Sequence, residues 1–479
     1  MKNKNSQTSL SPDENRGRKN VGISRRKFLS NTIKTSIGTS IALSFPSIVP
    51  SSVFGRNAPG NRINVAAIGS GRIGRIHDMP GVWRYDYAQL MAVCDLDTIR
   101  AEDGKKLTNE YYSRRDGKPF DGVRVYTDYR EVLQNKDIDA VLISTPDHTH
   151  AMIGVAAARA GKHIYMQKPA SLTIKEGRII SDVMQKSGVK FQIGSQQRSS
   201  EQFRYAAELV RNGRIGELKK VYVGLPGDPP GGNKTEMPVP KNLNYDMWLA
   251  STPEVYYTEE RVHPQVDYGR PGWLRCEQFG AGMITGWGAH HIDSAHWGMG
   301  MESSGPVEIW SNKAEFAANG LWDVHGIFTT EANYANGVNM MVSNELPNGI
   351  KFEGTKGWIF VSRGDYQVTA SDGSAGTTPA KKIDASDPKI LTSVIGEKEF
   401  HFEISKEHHG NWLEAIRDNK KPIAPVEEAH RACSACLLHH IAMKTKRKMY
   451  WDPEKEQFKN DDEGNKMLSR PQRKGYEPQ

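Results

Sequence analysis

The sequence has little of what marks several specialised protein classes. It contains 4 cysteines in 479 residues, too few for a scaffold held by disulfides. Beyond residue 55 no apolar run approaches the ~20 residues that a membrane-spanning helix needs. The composition of 37% hydrophobic and 25% charged residues excludes wholesale disorder. What remains is a soluble globular protein, long enough for two or three domains.

Net positive charge is also scarce outside one segment. The formal net charge is +8, but residues 1–55 hold nine basic and two acidic side chains. The remaining chain is therefore close to neutral. A polyanionic partner would leave a basic patch in the folded part of the protein. We expect no nucleic-acid partner.

The basic segment has the order of an export signal. Ser24-Arg25-Arg26-Lys27-Phe28-Leu29 precedes a short and weakly apolar stretch, which resembles a twin-arginine leader. The other reading is a disordered basic tail. No cysteine stands where a lipid anchor would be attached. We expect a periplasmic protein, exported by the twin-arginine pathway, with no stable membrane anchor.

The first motif after the leader is typical of dinucleotide binding. Residues 63–69 form an apolar run suited to a buried parallel strand, and Gly69-Ser70-Gly71-Arg72-Ile73-Gly74 follows at once. In this G-x-G-x-x-G pattern the first glycine permits a tight turn. The second lets the backbone approach a pyrophosphate, and the third allows close packing of strand and helix. The pattern predicts a Rossmann domain.

An acid at the end of the next predicted strand indicates the cofactor. The strand runs from about Ala88 to Val93, and Asp95 follows it. A carboxylate there can accept hydrogen bonds from ribose hydroxyls and repels a 2′-phosphate, which favours NAD. Arg100 is close enough in sequence to keep NADP open.

Two later strands are expected to end at the same crevice. One stops at Thr145-Pro146-Asp147-His148-Thr149-His150, and the next at Gln167-Lys168-Pro169. Ligands of open α/β sheets gather beyond the carboxyl ends of the strands. The predicted cofactor-binding residues are Gly69, Gly71, Arg72, Ile73, Gly74, Asp95, Thr145, Pro146, His148, His150 and Lys168.

The order of these motifs resembles the Gfo/Idh/MocA oxidoreductases, over about residues 60–450. That family usually has T-P-N-x-x-H and E-K-P where this chain has the two loops just quoted. Its second domain usually has G-x-H-x-x-D, which Gly288-Ala289-His290-His291-Ile292-Asp293 matches. Two positions depart from the pattern, because Gln167 replaces an acid beside the lysine and Gly286 replaces an acid before the histidine.

The resemblance implies which residues carry the chemistry. His290 accepts the hydroxyl proton of the substrate, since an imidazole suits neutral pH. Lys168 hydrogen-bonds the same oxygen and shares the proton role, and Asp293 orients His290. We expect no metal, because no further cysteine or acid stands at ligand spacing. The predicted substrate residues are Gln167, Arg198, Trp273, Trp287 and His291.

The predicted fold is α/β, with an amino-terminal Rossmann domain and an α+β domain built on a large, mainly antiparallel sheet. The expected segments are a leader over 1–55, the Rossmann domain over 60–188, the substrate and oligomerisation domain over 189–400, helices that pack back on the core over 401–450, and a tail over 455–479. The resemblance also implies a homodimer or homotetramer.

Three functions stay open at this point. The first is an oxidoreductase that transfers hydride from a sugar, glycoside or cyclitol hydroxyl to a tightly bound NAD(P). The second is an NAD-dependent glycoside hydrolase that oxidises, eliminates, adds water and reduces without net redox change. A non-catalytic sugar or cofactor binder is the third, and the presence of both Lys168 and His290 argues against it.

Overall fold

The computed structural model describes residues 62–364 and 381–478. A buried parallel sheet is the centre of its amino-terminal half. The predicted leader and residues 365–380 lie outside the described residues. The order of the six strands is β3-β2-β1-β4-β5-β6, and all pair in parallel. This order is that of a Rossmann fold. The strands are β1 (Ile63–Ile68), β2 (Ala88–Cys94), β3 (Arg124–Tyr126), β4 (Ala140–Ile143), β5 (His163–Met166) and β6 (Phe191–Ile193).

The sheet strands are apolar because helices cover both faces, as parallel sheets require. Every residue of β4 is buried. The covering helices begin and end where local chemistry favours it. Asp97 caps one helix by accepting hydrogen bonds from two backbone N–H groups, and that helix ends at Gly117 with φ +65°. The helices of this half are α1 (Met79–Trp83), α2 (Thr98–Asp116), α3 (Tyr129–Gln134), α4 (His150–Arg159), α5 (Ile174–Ser187) and α6 (Glu201–Arg211).

The second sheet has nine strands in the order β13-β12-β11-β7-β10-β9-β8-β14-β15. Its pairings are antiparallel except that β10 runs parallel to β7. The predicted class, a Rossmann domain beside a mainly antiparallel sheet, is therefore confirmed. The strands are β7 (Leu218–Gly224), β8 (Pro306–Phe316), β9 (His325–Tyr334), β10 (Asn339–Ser343), β11 (Gly349–Gly354), β12 (Gly357–Val361), β13 (Ile383–Ala385), β14 (Met449–Asp452) and β15 (Gln457–Phe458).

Helices of the carboxyl-terminal half lie against both sheets. The helix His408–Arg417 contacts β5 of the first sheet, where Trp412 is fully buried beside Tyr165. The helix Val426–Thr445 packs on α5 and on β8 of the second sheet. None of the described helices is long and apolar enough to cross a bilayer. The helices of this half are α7 (Tyr245–Leu249), α8 (Met283–Gly286), α9 (Gly288–Met299), α10 (Pro388–Leu391), α11 (His408–Arg417), α12 (Val426–Thr445) and α13 (Asp462–Lys466).

The prediction of an exposed tail over 455–479 was wrong. Phe458 and Leu468 are buried, at 2% and 1% exposure. Arg470 forms an ion pair with Glu176 at 2.9 Å, and Arg473 forms one with Asp246 at 2.8 Å. These two ion pairs hold the segment against the rest of the folded chain.

The predicted roles of Asp293 and Arg198 were also wrong, because the two side chains bind each other. Both are 1% exposed, and the guanidinium donates to the two Asp293 carboxylate oxygens at 2.6 and 2.8 Å. Arg198 also pairs with Glu428 of α12. Asp293 therefore does not orient His290. The triad instead joins the segment after β6 to α9 and α12.

Removal of one charge from this triad should destabilise the protein. Asp293→Asn leaves the buried Arg198 guanidinium with Glu428 as its one remaining partner in the triad. We therefore expect a loss of about 3–5 kcal/mol in the free energy of unfolding. Chemical denaturation measures it. The matched control is Glu217→Gln, which breaks the exposed pair with Lys219 and should cost under about 1 kcal/mol. Equal losses for the two variants would contradict the structural role of Asp293.

Candidate active site

A cavity of about 420 Å³ lies beyond the carboxyl ends of the parallel strands. The glycine-rich loop, Asp95, Lys168 and His290 all line it. The second domain contributes residues between positions 263 and 274 to the same lining. Of the predicted site residues, the cavity brings together Gly69, Gly71, Arg72, Ile73, Asp95, Thr145, Pro146, Gln167, Lys168, Trp273, Trp287 and His290.

The glycine-rich loop fits a dinucleotide phosphate on steric grounds. Gly69 has φ +90°, and a Cβ there would meet the Ser144 carbonyl oxygen at 2.7 Å. A Cβ at Gly74 would meet the Gly69 oxygen at 2.4 Å, so Gly74 lies behind the loop and serves packing. On Gly71 the nearest atom would be an Arg100 nitrogen at 3.7 Å. The backbone at Gly71 is therefore open to a close ligand, as a pyrophosphate requires.

Asp95 joins the glycine-rich loop to the turn after β2. One carboxylate oxygen accepts hydrogen bonds from the Ser70 backbone N–H at 2.8 Å and its hydroxyl at 3.3 Å. The other accepts from the Asp97 N–H at 3.0 Å. The half-buried carboxylate still lines the cavity, where it can receive ribose hydroxyls. Arg100 is already engaged, since it donates to the carbonyls of Pro264 and Asp267 at 2.6 and 3.0 Å.

Lys168 reaches into the cavity from the end of β5. Its Nζ donates to the backbone carbonyl of Gly286 at 2.7 Å, so a main-chain oxygen stands where the family pattern has an acid. Burial lowers the pKa of Lys168, while the carboxylate of Asp147 opposes that shift. The nearby guanidinium groups of Arg270 and Arg363 lower the same pKa further. The amine is therefore easier to deprotonate than an ordinary lysine.

His290 is a neutral imidazole. It is 6% exposed, and burial, followed by the charges of Arg363 and Lys168, holds its pKa well below the usual value. Its Nδ1 is buried, and no described residue forms a hydrogen bond with it. The predicted orienting acid is absent from this atom, and a strongly lowered pKa makes the ring a weaker base than the sequence implied.

Gln167 is fixed by a buried carboxylate that the sequence did not reveal. Its Nε2 donates to Asp78 at 2.8 Å, and Asp78 also accepts from Ser144 Oγ at 2.6 Å. His409 donates to the same carboxylate at 3.0 Å. Burial works against a charged His409, but hydrogen bonds to Asp78 and Glu407 outweigh it and raise the pKa of His409 to about 9. Asp78 is thus paired with a buried histidine.

Aromatic rings complete the cavity wall near the reacting end. The Arg363 guanidinium lies 4.7 Å from the centre of the Trp287 ring. Trp273 and Trp248 line the same wall. Such faces pack against the C–H surfaces of a small organic ligand.

Three predicted histidines do not line the cavity, and each has at least one ring nitrogen bonded to a neighbouring protein group. His148 Nε2 bonds the Trp248 carbonyl at 2.8 Å, and His150 bonds the carbonyls of Pro169 and Thr145 at 2.7 and 2.9 Å. His291 lies between Gln197 and Asn348, at 3.1 and 2.8 Å. All are buried and hold neighbouring segments together.

Sequence reasoning missed several cavity residues. Asp147 stood inside a quoted motif but was given no role, although its carboxyl is buried in the cavity wall. Arg270 and Arg363 lie in irregular segments with no motif, so no local signal identified them. Within residues 62–364 and 381–478, no three His, Cys, Asp or Glu side chains are grouped so that they could hold a metal ion.

Each of three curated relatives matches about a third of this chain. Myo-inositol 2-dehydrogenase of Thermotoga maritima is 29% identical over 171 residues, 35% of this chain and 47% of that protein. Levoglucosan dehydrogenase of Pseudarthrobacter phenanthrenivorans is 28% identical over 156 residues, 33% and 39%. Glycosyl hydrolase family 109 protein 2 of Shewanella sp. is 31% identical over 167 residues, 32% and 35%. The chain thus spans less than half the length of these relatives.

Solved structures match over most of the chain and show the fold. The WlbA dehydrogenase of Bordetella pertussis, in complex with NADH and UDP-GlcNAcA, has a TM-score of 0.56 at 14% identity, covering 82% of this chain and 99% of that one. The aldose-aldose oxidoreductase of Caulobacter crescentus, complexed with glycerol, has a TM-score of 0.54 at 18% identity, covering 81% and 99%.

Family models cover both domains. The model of an oxidoreductase family with an NAD-binding Rossmann fold matches residues 63–195. The model of its C-terminal alpha/beta domain matches residues 230–373 and 391–478. The glycine-rich loop, Asp95 and the open backbone at Gly71 fit the nucleotide that the first model describes. This chain therefore belongs to the Gfo/Idh/MocA oxidoreductase family, whose Rossmann domain binds NAD.

Proposed function

We propose that this protein oxidises a secondary hydroxyl of a sugar, glycoside or cyclitol, with NAD held in the cavity. The observation that carries the proposal is one cavity lined both by the glycine-rich loop and by Lys168 with His290. The bound nicotinamide supplies the hydride acceptor. The relatives named for inositol and levoglucosan support the substrate class.

The proton roles follow from the environments of the two bases. We assign proton removal to Lys168, because burial lowers the pKa of its amine toward neutral pH. His290 stays neutral and donates a hydrogen bond to the oxygen of the substrate hydroxyl. The hydrogen of that hydroxyl then points toward Lys168. The sequence had assigned the proton to His290, and the structure favours the reverse order because burial and two neighbouring cations lower its pKa.

We also propose that NAD is tightly held. Residues 258–271, here called the strap, contribute His263 and Gly269–Pro271 to the cavity lining. Tyr268 lies between the guanidinium groups of Arg75 and Arg100, at 4.0 and 4.6 Å. Its hydroxyl donates to Asp103 at 2.7 Å. Arg100 donates hydrogen bonds to two strap carbonyls. Its guanidinium is therefore already occupied and less able to bind the 2′-phosphate of NADP, which also favours NAD.

A redox-neutral glycoside hydrolase is the second candidate. The glycosyl hydrolase family 109 relative favours it. Oxidation of a ring hydroxyl would acidify the neighbouring C–H, Lys168 would remove that proton, and the glycosidic bond would be eliminated before water adds and the carbonyl is reduced. The proposed export through a twin-arginine leader supports either a hydrolase or an oxidoreductase that oxidises one sugar and reduces another. In both, the hydride returns from the bound cofactor to a sugar, so no free NAD is consumed.

The two candidates differ in whether turnover leaves NADH or a cleaved glycoside. The full chain is expressed with its leader, purified from the exported fraction and assayed for bound NAD(H) by absorbance and mass spectrometry. The preparation is then incubated with free sugars, cyclitols and aryl glycosides. We expect bound nucleotide and NADH formation with a free sugar or cyclitol. Glycoside cleavage without net NADH would support the hydrolase, and a preparation that binds no nucleotide would contradict both.

Substitution of either base should stop turnover without releasing NAD. For Lys168→Ala and His290→Ala we expect kcat to fall about 10²–10⁴-fold, the usual contribution of such groups, with NAD still bound. The matched controls are Lys175→Ala and His401→Ala, whose side chains are exposed. Loss of nucleotide from either site variant would show that its residue binds the cofactor instead.

A further inference from the structure

The amine of Lys168 is held in place by a backbone group of the second domain. Its Nζ donates to the Gly286 carbonyl at 2.7 Å, and Gly286 is the last residue of α8 (Met283–Gly286). The chain continues through Trp287 into α9, where the backbone N–H of His290 donates to the Trp287 carbonyl at 3.0 Å. The position of α8 therefore sets where both bases stand in the cavity.

The four-residue helix α8 is held by side chains outside it, because a single turn has few hydrogen bonds of its own. The backbone N–H groups at its amino end have no acceptor within the helix. A carboxylate oxygen of Asp228 accepts from the Met283 N–H at 2.6 Å. The next N–H, of Ile284, donates to His325 Nε2 at 3.4 Å. The bond to Asp228 is the shorter one, and the charge of the acceptor strengthens it.

The residue before α8 lets Asp228 approach closely. Gly282 has φ +68°, and a Cβ there would lie 2.5 Å from the accepting Asp228 oxygen and 2.9 Å from a methyl carbon of Val324. Glycine adopts this backbone conformation without steric cost. The Asp228 side chain is 1% exposed, and it stands four residues after the end of β7. The contact therefore joins α8 to the sheet of the second domain.

We propose that Asp228 is a positioning residue for the reaction, which fixes α8 so that its Gly286 carbonyl holds the amine of Lys168 at the cavity wall. The inference rests on the role of Lys168 proposed above. A displacement of about 1 Å at a reacting group can lower a rate about 10²-fold. Asp228 does not line the cavity, so its effect on the two bases passes through the backbone of α8.

Other carboxylates supply the electrostatic field at Lys168. Those that raise the pKa of Lys168 most are Asp147 and, more weakly, Asp78, both of the Rossmann domain. The carboxylate of Asp228 instead faces the guanidinium of Arg275 at 3.8 Å. An effect of Asp228 on Lys168 should therefore follow its hydrogen-bond acceptor and not its charge.

Variants of Asp228 separate its acceptor from its charge. Asp228→Ala and Asp228→Leu remove the acceptor, whereas Asp228→Asn keeps an acceptor oxygen and loses the charge. In the purified full chain with its NAD, we expect kcat of the two non-accepting variants to fall about 10–100-fold, with KM changed much less and NAD still bound. Asp228→Asn should stay near the wild type. The matched control is Asp323→Ala, which removes another carboxylate bonded to a backbone N–H, that of Glu277 at 2.7 Å, and should leave kcat unchanged.

Labelling of Lys168 gives a second readout that needs no turnover. Competitive acetylation followed by mass spectrometry measures the pH midpoint at which its amine loses a proton. A carbonyl acceptor favours the ammonium form, so displacement of the Gly286 carbonyl should move the midpoint down by about one unit. We expect this shift in Asp228→Ala and Asp228→Leu, and no shift in Asp228→Asn or Asp323→Ala.

In a chain that oxidises a sugar, an unchanged kcat or an unshifted midpoint in the two non-accepting variants would overturn the proposal. Release of NAD from them would also overturn it, as would an Asp228→Asn or Asp323→Ala variant as impaired as Asp228→Ala. If Asp228→Ala does not fold, Asp228→Leu carries the test, because its side chain keeps the branched shape of the carboxylate. The expected pattern of midpoints in a protein that oxidises no sugar would reject the proposed function alone.

Discussion

A half-buried lysine side chain at the end of β5 is the constraint on which the site depends. Lys168 can occupy that position because the Gly286 carbonyl accepts its hydrogen bond. The same burial lowers the pKa of the amine. A group that would be a permanent cation on the surface becomes a base that can exchange a proton at neutral pH.

The surrounding structure keeps this environment rigid. Asp78 fixes Gln167 and Ser144, and His409 holds Asp78 from α11 of the carboxyl-terminal half. The triad of Arg198, Asp293 and Glu428 ties the end of the Rossmann sheet to α9, the helix that carries His290. Helices distant in sequence therefore set the distance between the two bases.

Much of the fold could be predicted because its signals are local. Strand, G-x-G-x-x-G and acid follow one another over about thirty residues. The side-chain partnerships could not be predicted in the same way. Asp293 lies three residues after His290, yet it binds Arg198, because a buried guanidinium elsewhere in the chain competes for its carboxylate. Asp78 and His409 are separated by more than three hundred residues, and no spacing rule connects them.

The central claim is that one cavity places the nicotinamide between Lys168 and His290, with the pyrophosphate on the glycine-rich loop. A crystal structure of the full chain with NAD tests it most directly. The account predicts phosphate oxygens against the Gly71 backbone, the adenosine ribose at Asp95, and the nicotinamide ring in contact with Lys168. A nicotinamide turned away from Lys168, or a nucleotide bound outside this cavity, would contradict it.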